Sequence, residues 1–317
     1  MNTPPPVAEL GRRVIDEVER AIVGKRAVLE KMMAAILTGG HVLLEDYPGL
    51  AKTLIAKSFA TALGLNFKRI QFTPDLLPGD VTGSHIYNRA TNRFELRPGP
   101  IFANIVLADE INRASPKTQS ALLEAMQEQQ VTLDGESLAL PQPFLVIATQ
   151  NPIEYEGTFP LPEAQLDRFL MKLSVGYPAP EEEQEILRRR QQRGREAITL
   201  QPITNAAELM AVRETIETIY LHPDLERYIV DIVSATRRTH QVLVGASPRG
   251  SLALLTLARV RAALDGRDYV LPDDVKAFTQ AALVHRLILE PGLWLKQRAA
   301  DDIITKIVEQ VAVPVVE

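Results

Sequence analysis

The sequence predicts an α/β fold, with a three-layer domain built on a parallel sheet and a smaller all-helical domain after it. Between residues 42 and 175, short apolar runs alternate with segments of helical periodicity, which is typical of parallel strands joined by helices. Residues 176–180 are rich in proline, as connectors between domains often are. All later periodic segments are helical. We therefore predict an α/β domain at residues 1–177 and a helical domain at residues 178–317.

Each element is predicted from its local pattern. Apolar positions repeat with helical spacing through residues 10–37, and Val23-Gly24 breaks this stretch in two. Buried or alternating apolar runs predict strands, and Asp134-Gly135 predicts a tight hairpin turn. The predicted strands are residues 42–44, 67–72, 104–110, 144–148 and 170–175, with hairpins at 84–97 and 131–140. Further helices are predicted at residues 53–63, 116–130, 181–193, 206–218, 224–239, 247–265, 273–285 and 298–311.

Composition narrows the class of protein. The 317 residues are 46% hydrophobic and 24% charged, and none is cysteine, which excludes disulfides, thiolate metal sites and cysteine nucleophiles and fits a cytoplasmic location. The sequence contains no apolar run long enough to span a membrane, and its start lacks the features of a signal peptide. The net charge of −5 argues against a general polyanion-binding surface.

The first candidate site is the turn between the strand at residues 42–44 and the helix that follows. A strand, a glycine-containing loop and a helix form the context of a phosphate-binding loop. We expect Lys52 to contact β- and γ-phosphates and the Thr53 hydroxyl to hold Mg²⁺. The match to the usual pattern is incomplete, because Asp46 and Ala51 stand where glycines are expected. Such an alanine is tolerated only at negative φ, and Asp46 has to point away from phosphate. An ordinary turn with a surface lysine remains the alternative.

The second candidate site lies at the ends of two buried strands. Asp109 and Glu110 end one strand, and Asn151 follows the next. Ligands of open α/β sheets bind outside the carboxyl ends of the strands. We expect Asp109 to hold the Mg²⁺ shell, Glu110 to polarise an attacking water, and Asn151 to hold that water against the γ-phosphate. A solvated acidic strand end and a plain Asn-Pro turn are the alternatives.

Two arginines are candidates for stabilising negative charge. Arg168 precedes the last predicted strand, and Arg249 lies at the start of a helix in the second domain. A guanidinium on a γ-phosphate stabilises the transition state of phosphoryl transfer. Taken singly, each arginine is also compatible with an ordinary surface or ion-pair role.

In combination these features resemble the MoxR family of AAA+ ATPases, in the branch with an insert in the second helix. The resemblance covers nearly the whole chain. The stretches that carry it, in the family's order, are residues 43–53, 69–80, 97–113, 148–152, 163–169 and 245–249.

The resemblance implies a role for each candidate residue. Lys52 and Thr53 correspond to Walker A, Asp109 and Glu110 to Walker B, Asn151 to sensor 1, Arg168 to an arginine finger that serves the neighbouring subunit, and Arg249 to sensor 2. The residues implied to contact the nucleotide are Val23, Gly24, Pro48, Gly49, Leu50, Ala51, Lys52, Thr53 and Leu54. The hairpin at residues 84–97 corresponds to the helix-2 insert, and both hairpins face a central pore in relatives.

The resemblance also implies an ATP- and Mg²⁺-dependent hydrolase that forms a ring, usually a hexamer. Its implied role is chaperone-like remodelling or maturation of a partner, such as metal or cofactor insertion, and the family's partners often carry a von Willebrand factor A domain. A nucleic-acid-stimulated motor or loader is the first alternative, although the acidic net charge argues against a nucleic-acid partner. A nucleotide-gated scaffold without turnover is the second, and Glu110 and Asn151 argue against it.

Overall fold

The computed structural model describes residues 6–152, 157–195, 197–293, 296 and 298–314. Its strands are β1 (Val42–Glu45), β2 (Phe67–Gln71), β3 (Gly83–Asn88), β4 (Arg93–Pro98), β5 (Ile105–Asp109), β6 (Gln130–Leu133), β7 (Glu136–Ala139), β8 (Leu145–Gln150), β9 (Met171–Leu173), β10 (Val242–Val244) and β11 (Ile288–Leu289). Its α-helices are α1 (Val7–Glu19), α2 (Arg26–Thr38), α3 (Lys52–Ala62), α4 (Pro78–Thr82), α5 (Pro116–Glu128), α6 (Glu163–Leu166), α7 (Pro180–Arg193), α8 (Ala206–Glu217), α9 (Pro223–Arg238), α10 (Pro248–Leu264), α11 (Pro272–Leu283) and α12 (Ala299–Gln310).

The central sheet has the strand order β2-β5-β8-β1-β9, and all its neighbouring strands run parallel. Successive side chains of a strand point to opposite faces. In β1, Val42 and Leu44 accordingly lie in one apolar core, and Leu43 lies in the other. The sheet is therefore the middle of three layers, as the sequence predicts.

The two faces of the sheet are covered differently. On one face, α1, α2 and α3 contribute to a core that continues into the helical half of the chain, where it includes Leu254 and Ile304. On the other face, α5 contributes Leu122 and Leu123 to a smaller core. Because the first core is continuous, the helical half packs directly against the α/β half.

The helical half contains α7 to α12. Prolines occupy the first helical position of α9, α10 and α11, where the missing N–H leaves no hydrogen bond unmade. The short antiparallel pair of β10 and β11 is added to these helices. A connector, residues 174–179, joins β9 to α7; the boundary predicted between residues 177 and 178 falls within it and stays a prediction. In the part of the chain that the structure describes, no helix is both long and apolar enough to cross a membrane.

Two hairpins stand apart from the sheet. Strands β3 and β4 pair antiparallel, as do β6 and β7. Asp134 and Gly135 have φ values of +50° and +87°, which is the turn geometry that an Asp-Gly pair favours. His85 Nδ1 lies 2.7 Å from Asp134 Oδ2, so the two hairpins touch. Phe94 on the first hairpin is 71% exposed.

Candidate functional site

The candidate phosphate loop, residues 46–51, connects β1 to α3, and α3 begins at Lys52. Lys52 Nζ donates to the carbonyl oxygens of Asp46 at 2.6 Å and Tyr47 at 3.0 Å. Burial lowers the pKa of Lys52, and the charges of Asp46, Asp109 and Glu110 act in the opposite direction. The ammonium group is therefore within electrostatic reach of the acidic pair at the end of β5.

The loop adopts left-handed backbone at two of its positions. Gly49 has φ +85°, and a Cβ there would find no atom within 4 Å, so its neighbourhood is open. Ala51 has φ +56°, and the expectation that alanine fits only at negative φ is therefore wrong. A non-glycine residue in this region is strained by about 1 kcal/mol or more. The surrounding structure holds Ala51 in the conformation that glycine adopts freely.

The Asp46 carboxylate points away from the loop. The residue is only 6% exposed, and its carboxylate accepts hydrogen bonds from the backbone N–H groups of Val175 and Gly176 and from Ser174 Oγ. Asp46 therefore meets the condition that it point away from the phosphate site. Its carboxylate is directed at residues 174–176 of the connector and is buried there.

The acidic pair lies at the carboxyl end of β5. Asp109 Oδ1 accepts a 2.6 Å hydrogen bond from Thr149 Oγ1 on β8, and Thr149 Oγ1 accepts one of 2.8 Å from the Glu110 backbone N–H. Asp109 Oδ2 accepts from Arg69 on β2, at 2.9 Å from Nε and 2.7 Å from a terminal nitrogen. The two strands that flank β5, namely β2 and β8, therefore orient this one carboxylate.

Glu110 is held in place by two side chains. Its Oε2 accepts from Gln71 Nε2 at 2.8 Å and from an Arg113 terminal nitrogen at 3.2 Å. Its backbone is left-handed, with φ +57°, which is uncommon for a glutamate and concentrates at functional sites. In this state Glu110 is oriented but engaged with protein partners.

Asn151 follows β8 and is 6% exposed. The Asp46 N–H donates to the Gln150 carbonyl at 3.2 Å, so the ends of β8 and β1 lie side by side. Because β5, β8 and β1 are consecutive in the sheet, Asp109, Asn151 and the loop with Lys52 meet at one edge.

Arg168 and Arg249 lie at the opposite end of the sheet, near the amino end of β1. Both line a cavity of about 240 Å³ together with Gly40 and His41, which precede β1. An Arg168 terminal nitrogen donates to the Leu123 carbonyl at 2.8 Å. The four residues of β1 separate this cavity from the loop by about 13 Å of strand. In this arrangement Arg249 does not reach the phosphate loop of its own chain.

The segment predicted to line the base, Val23 and Gly24, meets the connector. A Cβ on Gly24 would overlap Glu182 Oε1 at the start of α7. Lys25 Nζ donates to the Tyr177 carbonyl at 2.6 Å, and the Tyr177 ring lies 6.0 Å from that of Tyr47 in the loop. The base segment, the loop and the connector therefore adjoin one another.

Sequence reasoning assigned no role to Arg69, Gln71, Thr149 or Arg286. The alternation in β2 places Arg69 and Gln71 on one face of their strand, but only the strand order shows that β2 lies beside β5. Thr149 and Arg286 carry no pattern of their own. The roles of these four residues become apparent only from the contacts that they make in the structure.

Comparison with known proteins gives a consistent result. Residues 41–171 match the ATPase family associated with various cellular activities (AAA), and residues 234–307 match the AAA lid domain. YeaC of Bacillus subtilis is 50% identical, over 96% of this chain and 94% of that protein. Chaperone MoxR1 of Mycobacterium tuberculosis is 46% identical, over 95% of this chain and 82% of that protein.

A solved structure agrees with these relatives. The crystal structure of a proposed ATPase from Cytophaga hutchinsonii matches with a TM-score of 0.91 and 42% identity, over 98% of this chain and 96% of that one. Sequence similarity over nearly the full length and the shared fold identify the chain as a nucleotide-binding, ATP-hydrolysing enzyme. It belongs to the MoxR family of AAA ATPases.

Proposed function

We propose that the protein uses ATP hydrolysis to remodel or mature a partner protein, in the manner of a chaperone. The main observation that supports the ATPase site is the convergence of Lys52, Asp109 and Asn151 at the carboxyl end of the sheet. The chaperone role is supported by the name of the M. tuberculosis relative, MoxR1.

In this proposal the loop binds the phosphates of ATP. Its backbone N–H groups and the N-terminus of α3 favour an anion. Lys52 would leave the carbonyls of Asp46 and Tyr47 and contact the β- and γ-phosphates. Those carbonyls belong to the loop itself, so the ammonium already lies at the proposed phosphate site. Val23, Gly24, Pro48, Leu50 and Leu54 would complete the nucleotide's surroundings.

Thr53 and Asp109 are the residues that would hold Mg²⁺. Hydroxyl and carboxylate oxygens are the ligands that this ion prefers, and it commonly keeps several of its waters. Each Asp109 oxygen already accepts hydrogen bonds, but a carboxylate has about four lone-pair sites, so the donor set fits. Bound Mg²⁺ would neutralise charge on the phosphates.

Glu110 and Asn151 would position the attacking water. Glu110 becomes available when its hydrogen bonds from Gln71 and Arg113 break, and it then orients and polarises the water. Positioning and charge stabilisation supply most of the catalysis in phosphoryl transfer, so this division of roles suits the reaction.

Arg168 and Arg249 would act on the nucleotide of a neighbouring subunit. Both line one cavity at the end of the sheet away from their own loop, and in the proposed ring this end of one subunit would meet the loop of the next. A hexameric ring is therefore part of the proposal. The resemblance assigns Arg249 to sensor 2, and the shared cavity with Arg168 favours action across the interface.

The proposed partner carries a von Willebrand factor A domain, and support for it comes from the family resemblance alone. A cytoplasmic location rests on the cysteine-free sequence.

The test of the proposed partner is affinity purification of Glu110→Gln protein with ATP, because a variant that binds ATP without turnover retains its partner. We expect a protein with such a domain, absent from parallel Lys52→Ala purifications. Recovery of DNA instead would favour the nucleic-acid motor, and wild-type protein without any ATP turnover would favour the scaffold.

A further inference from the structure

Asp46 joins the phosphate loop to the connector between the two halves of the chain. It occupies the position where phosphate loops usually carry their first glycine. Its carboxylate accepts from Ser174 Oγ at 3.2 Å, from the Gly176 N–H at 3.2 Å and from the Val175 N–H. Hydrogen bonds to a carboxylate are stronger than those between neutral groups, and this carboxylate is buried.

The backbone of the same residue faces the catalytic edge. The Asp46 carbonyl accepts from Lys52 Nζ at 2.6 Å, and the Asp46 N–H donates to the Gln150 carbonyl, one residue before Asn151. One residue therefore contacts Lys52, the end of β8 and the connector. Its carbonyl contacts the Lys52 ammonium, and its carboxylate contacts residues 174–176.

The connector also holds the base end of the candidate nucleotide site. The Tyr177 carbonyl accepts from Lys25, and the Tyr177 ring lies beside Tyr47. Three residues beyond Tyr177, the connector becomes α7, the first helix of the helical half. The connector is thus attached to both ends of the site, and the attachment at the phosphate end is the Asp46 carboxylate.

We propose that Asp46 is a positioning residue that couples occupation of the phosphate loop to the placement of the helical half. This rests on the proposed function in one respect, namely that the loop binds the phosphates of the nucleotide. When Lys52 leaves the Asp46 carbonyl for a phosphate, the loop rearranges around residue 46. The carboxylate then carries that rearrangement to the N–H groups of Val175 and Gly176.

The test measures the distance between the two halves with and without nucleotide. The chain has no cysteine, so Ser120→Cys on α5 and Val230→Cys on α9 give two unique positions for spin labels, both exposed. Pulsed electron paramagnetic resonance then records the distance distribution in the full chain with Mg-ADP. Binding of a fluorescent ADP analogue and steady-state ATPase rates are measured on the same proteins.

The main variant is Asp46→Asn, which keeps the side-chain shape and one acceptor oxygen but removes the negative charge that strengthens the hydrogen bonds from the connector. The matched control is Glu45→Gln, which removes the neighbouring carboxylate and its 2.7 Å ion pair with Lys172 on β9 without touching residues 174–176. If Asp46→Asn fails to fold, Ser174→Ala removes one donor of the same contact and is measured in the same way.

In wild-type protein and the Glu45→Gln control, we expect ADP to shift the distance distribution. In Asp46→Asn, ADP should still bind within about threefold of wild type, the shift should be lost, and kcat should fall about tenfold, as the loss of a charge-assisted hydrogen bond implies. KM should change far less than kcat.

Three results would overturn the inference. An Asp46→Asn shift equal to that of wild type would do so, as would a wild-type distribution that saturating ADP leaves unchanged. An affinity loss that fully explains the slower turnover would assign Asp46 to binding alone. Failure of the wild-type protein to bind ADP, by contrast, would refute the proposed nucleotide site itself.

Discussion

The guanidinium of Arg286 forms an ion pair with the carboxylate of Asp167, the residue immediately before Arg168. Arg286 also donates to the carbonyls of Asp167 at 2.8 Å and Phe169 at 2.7 Å. Ser247 Oγ lies 2.9 Å from the same Asp167 carboxylate and accepts from the Arg249 N–H at 3.1 Å. Asp167 therefore connects the segments that carry Arg168 and Arg249.

Loss of the Arg286 guanidinium should destabilise the protein. Its side chain is 3% exposed, and removing one partner of a buried ion pair leaves an uncompensated charge at a cost of about 3–5 kcal/mol. We expect Arg286→Met to lower the free energy of unfolding by that amount in a denaturant titration. The control is Arg227→Met on α9, where the arginine is 84% exposed and its loss should change stability by less than about 0.5 kcal/mol. Equal effects of the two changes would contradict the assigned role of the pair.

Lys52→Ala should abolish ATP binding, because no other side chain of the loop carries a positive charge to the phosphates. A fluorescent ATP analogue measures this directly. Lys57→Ala, an exposed lysine on the same helix, controls for a general loss of positive charge and should bind normally. Normal affinity in Lys52→Ala would remove the loop from consideration as the phosphate site.

Mixing inactive variants should reveal which residues act across a subunit interface. Arg168→Ala and Lys52→Ala should each lose ATPase activity and partly recover it when mixed, because an intact loop then meets an intact arginine. Arg168→Ala mixed with Arg249→Ala should show no recovery, since every interface then lacks one of the two arginines. Recovery in that second mixture would mean that Arg249 acts on the nucleotide of its own chain. An absence of recovery in the first mixture, at any ratio, would argue against a finger arginine in trans.

Stability should fall in mild acid because two histidines are buried in the neutral form. Burial lowers the pKa of His41 to about 4 and that of His285 to about 3. The unfolded chain takes up these protons near pH 6.5, so above that pH neither histidine lowers the free energy of unfolding. Below it, the free energy of unfolding falls as the pH drops toward the folded-state pKa values, by up to about 1.4 kcal/mol per pH unit for each histidine.

His41→Gln tests this pH dependence. His41 Nδ1 accepts from the Val146 N–H at 3.0 Å, and Nε2 lies 2.9 Å from the Met126 carbonyl. Glutamine can supply one acceptor and one donor but does not titrate. Unfolding measured between pH 7 and pH 4 should therefore show a smaller slope in the variant. Identical slopes would mean that His41 does not contribute to the acid sensitivity.

The elements of the fold follow from local patterns. The helical period of α1 and α2, the apolar runs of β5 and β8, and the Asp134-Gly135 turn each depend on residues close together in the chain. Because strands alternate with helices, the three-layer class also follows, and it is confirmed. The loop at Lys52 and the acids at Asp109 and Glu110 could be predicted because each follows directly from a strand that the pattern identifies.

Only the tertiary structure decided how those elements meet. Strand order brings Arg69 and Thr149 to Asp109, and the packing of the helical half brings Arg249 to Arg168. Asp46 is a departure from a motif in the sequence, whereas in the folded chain its carboxylate binds a connector more than a hundred residues away. Contacts of this kind depend on long-range juxtaposition, which short-range periodicity does not encode. The sequence by itself therefore determined the strands, the helices and the chemical groups of the site, and the folded arrangement decided which of those groups act together.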